Sequence, residues 1–172
     1  MVEFAIVAPL GFLLLLGIVV LGLVEMDQIG LTNATRDAAR AAAICGSSSR
    51  DTGTKLPDSA NSTCSYTALK AYVTARVAAL PSGSASKPST SGYGSNCDTT
   101  PTNAVICVWT ASHGTVSITS SNPLDACVKG DEIEIVTQFN AQLYLPLVSN
   151  VFGSSGSTSR ALTADATATC EQ

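Results

Sequence analysis

Phe4–Val24, FAIVAPLGFLLLLGIVVLGLV, carries no charged side chain over 21 residues. As an α-helix this stretch reaches about 30 Å, the thickness of a bilayer's hydrocarbon core, so it is long enough to span one. A cleaved secretory signal has a basic lead, a shorter apolar run and a small-x-small cleavage site; none of the three is present, and the segment reads as retained. Nothing basic precedes Phe4 and the first basic residue after it is Arg36, so flanking charge does not set its orientation. Pro9, Gly11, Gly17 and Gly22 interrupt the run. Soluble helices avoid such residues, whereas membrane-embedded or tightly packed helices tolerate them, and Gly17 and Gly22 permit close helix approach. Glu3 stands at the head of the segment, where a carboxylate at the edge of hydrocarbon calls either for a partner or for a snorkelling position stabilised by the helix N-terminal dipole.

Downstream, Glu25–Cys45 turns amphipathic. Ile29, Ala34, Ala38, Ala41, Ala42 and Cys45 are expected on one face, with Asp27, Gln28, Asn33, Arg36, Asp37 and Arg40 on the rest. Gly46 supplies a C-cap. The simplest reading is one continuous helix from about Val2 to Cys45, on the order of 65 Å long, greasy all round in its first half. That divides the chain into a helix over 1–46 and an exported head over 47–172.

The whole chain has 172 residues with 9 Lys+Arg against 13 Asp+Glu, a net charge of −4 and a pI near 4.7. With no basic cluster, it lacks an electrostatic grip on phosphate backbones, and nucleic acid is excluded as an expected partner. After Gly46 the composition shifts to Ser, Thr, Gly, Asn and Ala, which suits an exposed surface away from the cytosol. Cys64–Leu80 reads as a second helix from Leu69, Val73, Val77 and Leu80, with Ser62 or Thr63 as N-cap and Pro81 as a stop. Ser82–Thr102 reads as a long surface loop pinned by Cys97. Strands are expected over Ala104–Thr110, Thr115–Ser120, Asp131–Asn140 and Ala161–Cys170. In the third, Ile133, Ile135 and Phe139 alternate with Glu132, Glu134 and Gln138, as in a sheet wetted on one side. Asn140–Phe152 is a short apolar stretch broken by Pro146, and Gly153–Ser159 a flexible turn. The fold class is therefore α+β, a helical stalk carrying a small antiparallel sheet of three or four strands.

Cys45, Cys64, Cys97, Cys107, Cys127 and Cys170 all follow the apolar run. An even count in a Ser/Thr-rich, low-charge chain points to an oxidising compartment and to as many as three disulfides, placing the head outside the cytoplasm. Cys107 shares a strand face with Val105 and Trp109, and Cys170 shares one with Leu162, so those two could meet across a core. The spacings hold no short C-x-x-C pair, which argues against zinc.

Conventional chemistry is sparse. His113, the only histidine, falls in Ser112-His113-Gly114 between two strand candidates and reads as a hairpin turn residue rather than a base. No nucleophile elbow, phosphate-cradling glycine loop or zincin motif occurs. Asp131, Glu132 and Glu134 invite a calcium reading, but strand alternation puts the two glutamates on the solvent face. No metal, cofactor or enzymatic activity is expected. Asn33-Ala34-Thr35 and Asn61-Ser62-Thr63 fit the N-glycosylation pattern at Asn33 and Asn61.

The order Met1-Val2-Glu3-Phe4-Ala5-Ile6-Val7-Ala8-Pro9-Leu10, then Leu13–Leu16, then Leu31-Thr32-Asn33-Ala34-Thr35-Arg36-Asp37-Ala38-Ala39-Arg40-Ala41-Ala42 resembles the TadE-like family of the tight-adherence (Tad) pilus system. A weaker echo lies at Gly130–Ile135, Leu145-Pro146-Leu147 and Ala166–Glu171. The resemblance implies a type IV pilin-like structural subunit, inserted in the cytoplasmic membrane as a precursor, trimmed by a prepilin peptidase and drawn by the assembly machinery into an extracellular adhesive filament of itself and other pilins. Glu3 would match the pilin glutamate, which typically lies fifth in the mature chain and neutralises a neighbour's terminal amine. Here it is third, which leaves open a different processing site, a start two residues further upstream, or a pairing made differently. Glu3, Phe4, Pro9, Gly11, Gly17, Gly22 and Ala38 are the expected assembly residues. The competing reading is a single-pass membrane-anchored surface binding protein, or a minor tip pilin.

Overall fold

The computed structural model describes residues 2–45, 66–81, 83–86, 88, 97, 104–109, 114, 124, 127–143 and 159–171. α1 runs unbroken over Val2–Cys45, with Pro9 inside it, and α2 over Tyr66–Ala78. Four strands follow, β1 (Gly83–Ser86), β2 (Ala104–Trp109), β3 (Glu132–Gln142) and β4 (Ser159–Thr169). The expected strand Thr115–Ser120 lies outside the described residues, as do His113, Asn61, Cys64 and most of Asn140–Ser159.

β3 is the axis of an antiparallel sheet. β4 pairs with it along its full length, from Glu132↔Thr169 to Gln142↔Ser159. A strand has only two edges, so β1 and β2 share the other one end to end: β2 covers Glu132–Thr137 and β1 covers Gln138–Ala141. The expected long loop over 82–102 is thus corrected at its start, where Gly83–Ser86 is a strand. Gly83 is what lets it in, because a Cβ there would run into the Asn140 carbonyl oxygen.

One face of the sheet and the two helices enclose the main core, the usual two-layer solution for burying a sheet face and a helix stripe together. The expected alternation of β3 holds: Ile133, Ile135 and Phe139 are fully buried there, as are Ile106 and Val108 of β2 and Leu69, Val73 and Val77 of α2. α1 contributes Leu31, Ala34, Ala38, Ala39, Ala41 and Ala42. Small side chains on this stripe let the helix axis lie close to the sheet. At the centre of that contact the Thr35 and Thr137 hydroxyls sit 2.6 Å apart, and Thr35 also donates to the Leu31 carbonyl at 2.7 Å. Gln28 Nε2 adds a 3.3 Å bond to the Thr163 carbonyl. α1 meets the segment just past α2 where Gly30 faces Leu80, whose Cδ2 would have to shift for a Cβ to fit.

The opposite face of the sheet is not simply wetted. Val105, Cys107 and Val136 form a second small core there with Cys97 and the half-buried Trp109, whose Nε1 donates to Glu134 Oε2 at 2.9 Å. Among the described residues two disulfides staple the head, Cys97–Cys107 and Cys127–Cys170. The expected meeting of Cys107 and Cys170 is therefore corrected. Cys107 does share a face with Val105 and Trp109, but that face looks away from the main core in which Cys170 lies, and the sheet separates the two sulfurs. Next to Cys127, Val128–Asp131 forms a tight turn closed by Asp131 N donating to the Val128 carbonyl at 2.8 Å, with Gly130 at φ +95°. A positive φ at the third position is the signature of a type II turn and favours glycine.

Candidate functional site

The two halves of α1 have different surroundings. From Val7 to Val19 the helix stands clear of the rest of the chain: Leu10 is 71% exposed, Leu14 63% and Ile18 59%, and the first buried side chain is Val20. Ten large apolar side chains between Val7 and Leu21 are exposed. At about 1.5–3 kcal/mol for each side chain fully buried, the unfavourable hydration is on the order of 20 kcal/mol, more than a small domain's whole stability. An apolar surface of this extent marks a membrane or protein contact. By length and composition α1 is able to cross a bilayer.

Pro9 and the three glycines lie in this free half. Pro9 is exposed, and its ring removes one helical hydrogen bond that a dry environment would otherwise require. A Cβ at Gly11, Gly17 or Gly22 would meet nothing within 4 Å. Among the described residues no contact calls for glycine at these positions, in contrast to Gly83. Glycine in mid-helix costs about 1 kcal/mol against alanine, so its presence three times in free space points to a neighbour outside the chain. Glu3 and Phe4 belong to the first turn of the same helix.

Ala38 does not belong to this set. It is 0% exposed and packs in the chain's own helix–sheet core, where it holds the head on the helix. The amphipathic assignment needs correction. Ile29 is 56% exposed and Asp27 is 0% exposed, the reverse of expectation. The buried stripe follows Val20, Asp27, Leu31, Ala34 or Thr35, Ala38 and Ala42, a spacing that centres on the sheet side and places Ile29 diametrically away. Thr35 was also missed as a core residue. Its position four residues after Leu31 and three before Ala38 was the available signal.

Asn33 is exposed, but the hydroxyl of Thr35 in its sequon is sealed at the helix–sheet contact by its bonds to Leu31 and Thr137. That burial leaves the sequon unreadable in the folded chain. Elsewhere, a groove of about 580 Å³ runs along α2, lined by Tyr66, Lys70, Thr74 and alanines. Lys70 lies over the Tyr66 ring at 5.0 Å, and partial burial lowers its ammonium pKa from the ordinary value. The groove gathers no acid, base and nucleophile set. Among the described residues no group of three His, Cys, Asp or Glu side chains comes together.

Comparison with known proteins bears on the helix alone. Residues 1–40 match the TadE-like protein family. The match spans the free half of α1 and most of the half that carries the head, and ends before the sheet begins. No curated protein and no solved structure is significantly similar to the chain. The TadE-like match and the exposed apolar helix are consistent with a Tad pilus-associated, pilin-like protein. They are consistent with membrane anchoring and a surface pilus, with pilus components as the general class of partner.

Proposed function

We propose that the chain is a pilin that polymerises through the free half of α1 into an extracellular filament, with residues 1–46 as the assembly helix and 47–172 as the displayed head. The observation that carries this reading is the pairing of an all-round exposed apolar helix with glycines that none of the described residues requires. Before assembly the bilayer covers the apolar half; afterwards copies of the same helix do. Both surroundings are dry, so the exchange never leaves the helix in water. Many identical contacts then sum into a strong fibre. Glu3 stays near the membrane surface, where it can meet a neighbour's terminal amine during docking. The head supplies the outer surface, and its disulfides keep it folded outside the cell, where adhesion takes place.

Electron microscopy of material sheared from cells, with antibody against the head, tests this. Labelled fibres are expected. Antibody confined to detergent-soluble single molecules would favour a membrane-tethered binding protein, and label restricted to fibre ends a tip subunit.

A further inference from the structure

Three pairs of residues on the exposed face of α1 are spaced eleven positions apart. Gly11 and Gly22, Ile18 and Ile29, and Glu25 and Arg36 are each eleven positions apart, and all six are exposed. Eleven residues make just over three helical turns, so each pair shares one face, the one turned away from the sheet. Glu25, Ile29 and Arg36 line a single groove on that face together with Gln28, Thr32 and Asn33.

Among the described residues the charges of Glu25 and Arg36 on this face meet no partner: neither side chain has an ion pair or a hydrogen bond there. Arg36 and Arg40 are four apart on one helix face, where like charges repel. Arg40 lies with Glu171 along a different groove, at the end of β4, which leaves Arg36 as the uncompensated cation. Two copies side by side in parallel without an offset would set Glu25 against Glu25 and Arg36 against Arg36. Shifted by eleven residues, they set Gly11 beside Gly22, Ile18 beside Ile29 and Glu25 of one copy beside Arg36 of the other, with the second Glu25 opposite Leu14.

We infer that a second, parallel copy of this chain docks on this face, displaced by eleven residues or about 16 Å along the helix axis, with Glu25 of one copy paired to Arg36 of the next. This rests on the filament reading above and adds its register. Close approach at the glycines brings the two helices near enough for the charged side chains to meet, and the surrounding apolar helices raise the cost of an unpaired charge there. The offset therefore acts as a selector: apolar contacts alone are permissive along the helix, while the ion pair admits one alignment.

Charge exchange distinguishes failure of the register from failure of the filament. Glu25→Arg and Arg36→Glu, singly, are expected to lower sheared fibre yield by about tenfold or more at unchanged membrane level, through like-charge contact. The double exchange is expected to restore yield to within about threefold of the parent, since coupled sites are non-additive. Singles that assemble like the parent, or an exchange no better than either single, overturn the register while fibres still form. Absence of fibres from the parent chain overturns the filament and the register with it. As an independent readout, Glu25→Cys and Arg36→Cys chains are co-expressed and treated with a short bis-maleimide. A mixed dimer is expected. No dimer from assembled material, or dimers of Glu25→Cys with itself, would contradict the offset.

Discussion

Gly22 and Gly83 sit in regions with opposite logic. At Gly83 the rest of the chain leaves no space for a side chain, whereas at Gly22 it leaves nothing but space. The same contrast runs through α1 as a whole: its second half is completed by the sheet through Leu31, Thr35 and Ala38, and its first half by none of the described residues. Where one chain satisfies its own packing, each small residue has a visible neighbour. Where small residues have no neighbour, the proposed filament supplies the missing surface from another copy.

The largest effect should come from filling the free space. Gly22→Leu and Gly11→Leu are expected to abolish fibres, seen by electron microscopy, while circular dichroism and thermal unfolding in detergent stay at or above the parent, because the substitution improves helix propensity by up to about 1 kcal/mol. Loss of head stability in these variants would break the contrast. Next is the staple across the main core. Cys127→Ser with Cys170→Ser opens a 43-residue separation and is expected to remove about 4 kcal/mol, against about 3 kcal/mol for the 10-residue Cys97–Cys107 bridge, both read by urea unfolding of the purified chain. Membrane insertion should be unaffected by either.

Ala38→Leu sharpens the boundary between the halves. Overpacking the helix–sheet contact should cost about 1–3 kcal/mol of head stability, so that any fibre defect appears only together with a lowered unfolding midpoint. Smallest is the hydroxyl pair. Thr35→Val and Thr137→Val should each cost about 1–2 kcal/mol by stranding the other hydroxyl, and the double variant clearly less than their sum, measured by a double-mutant cycle.

The elements that sequence revealed are those whose pattern is local. The 21 uncharged residues and Gly46 gave the extent of α1. Leu69, Val73 and Val77 gave α2, and the alternation of Ile133, Ile135 and Phe139 gave β3. β1 escaped because Gly-Ser-Ala-Ser has only the small Ala85 to betray it; it is a strand because β2 ends beside Thr137 and leaves the remaining edge of β3 open. The cysteine partners escaped for a related reason, since parity along a strand says which residues share a face but not which face holds the main core. The face of Glu25–Cys45 was misjudged at Ile29 because apolarity was taken to mean inward. On this helix an outward apolar residue continues the exposed stripe from the first half, and Asp27 is buried in its place.

The central claim is that copies of the same helix cover the free half of α1, and photo-crosslinking in living cells tests it most directly. A benzophenone amino acid placed at Leu14 or Ile18, both exposed, is expected on irradiation to yield a ladder of bands at whole multiples of the chain mass. Adducts only to lipid, or to a single different protein, would contradict it.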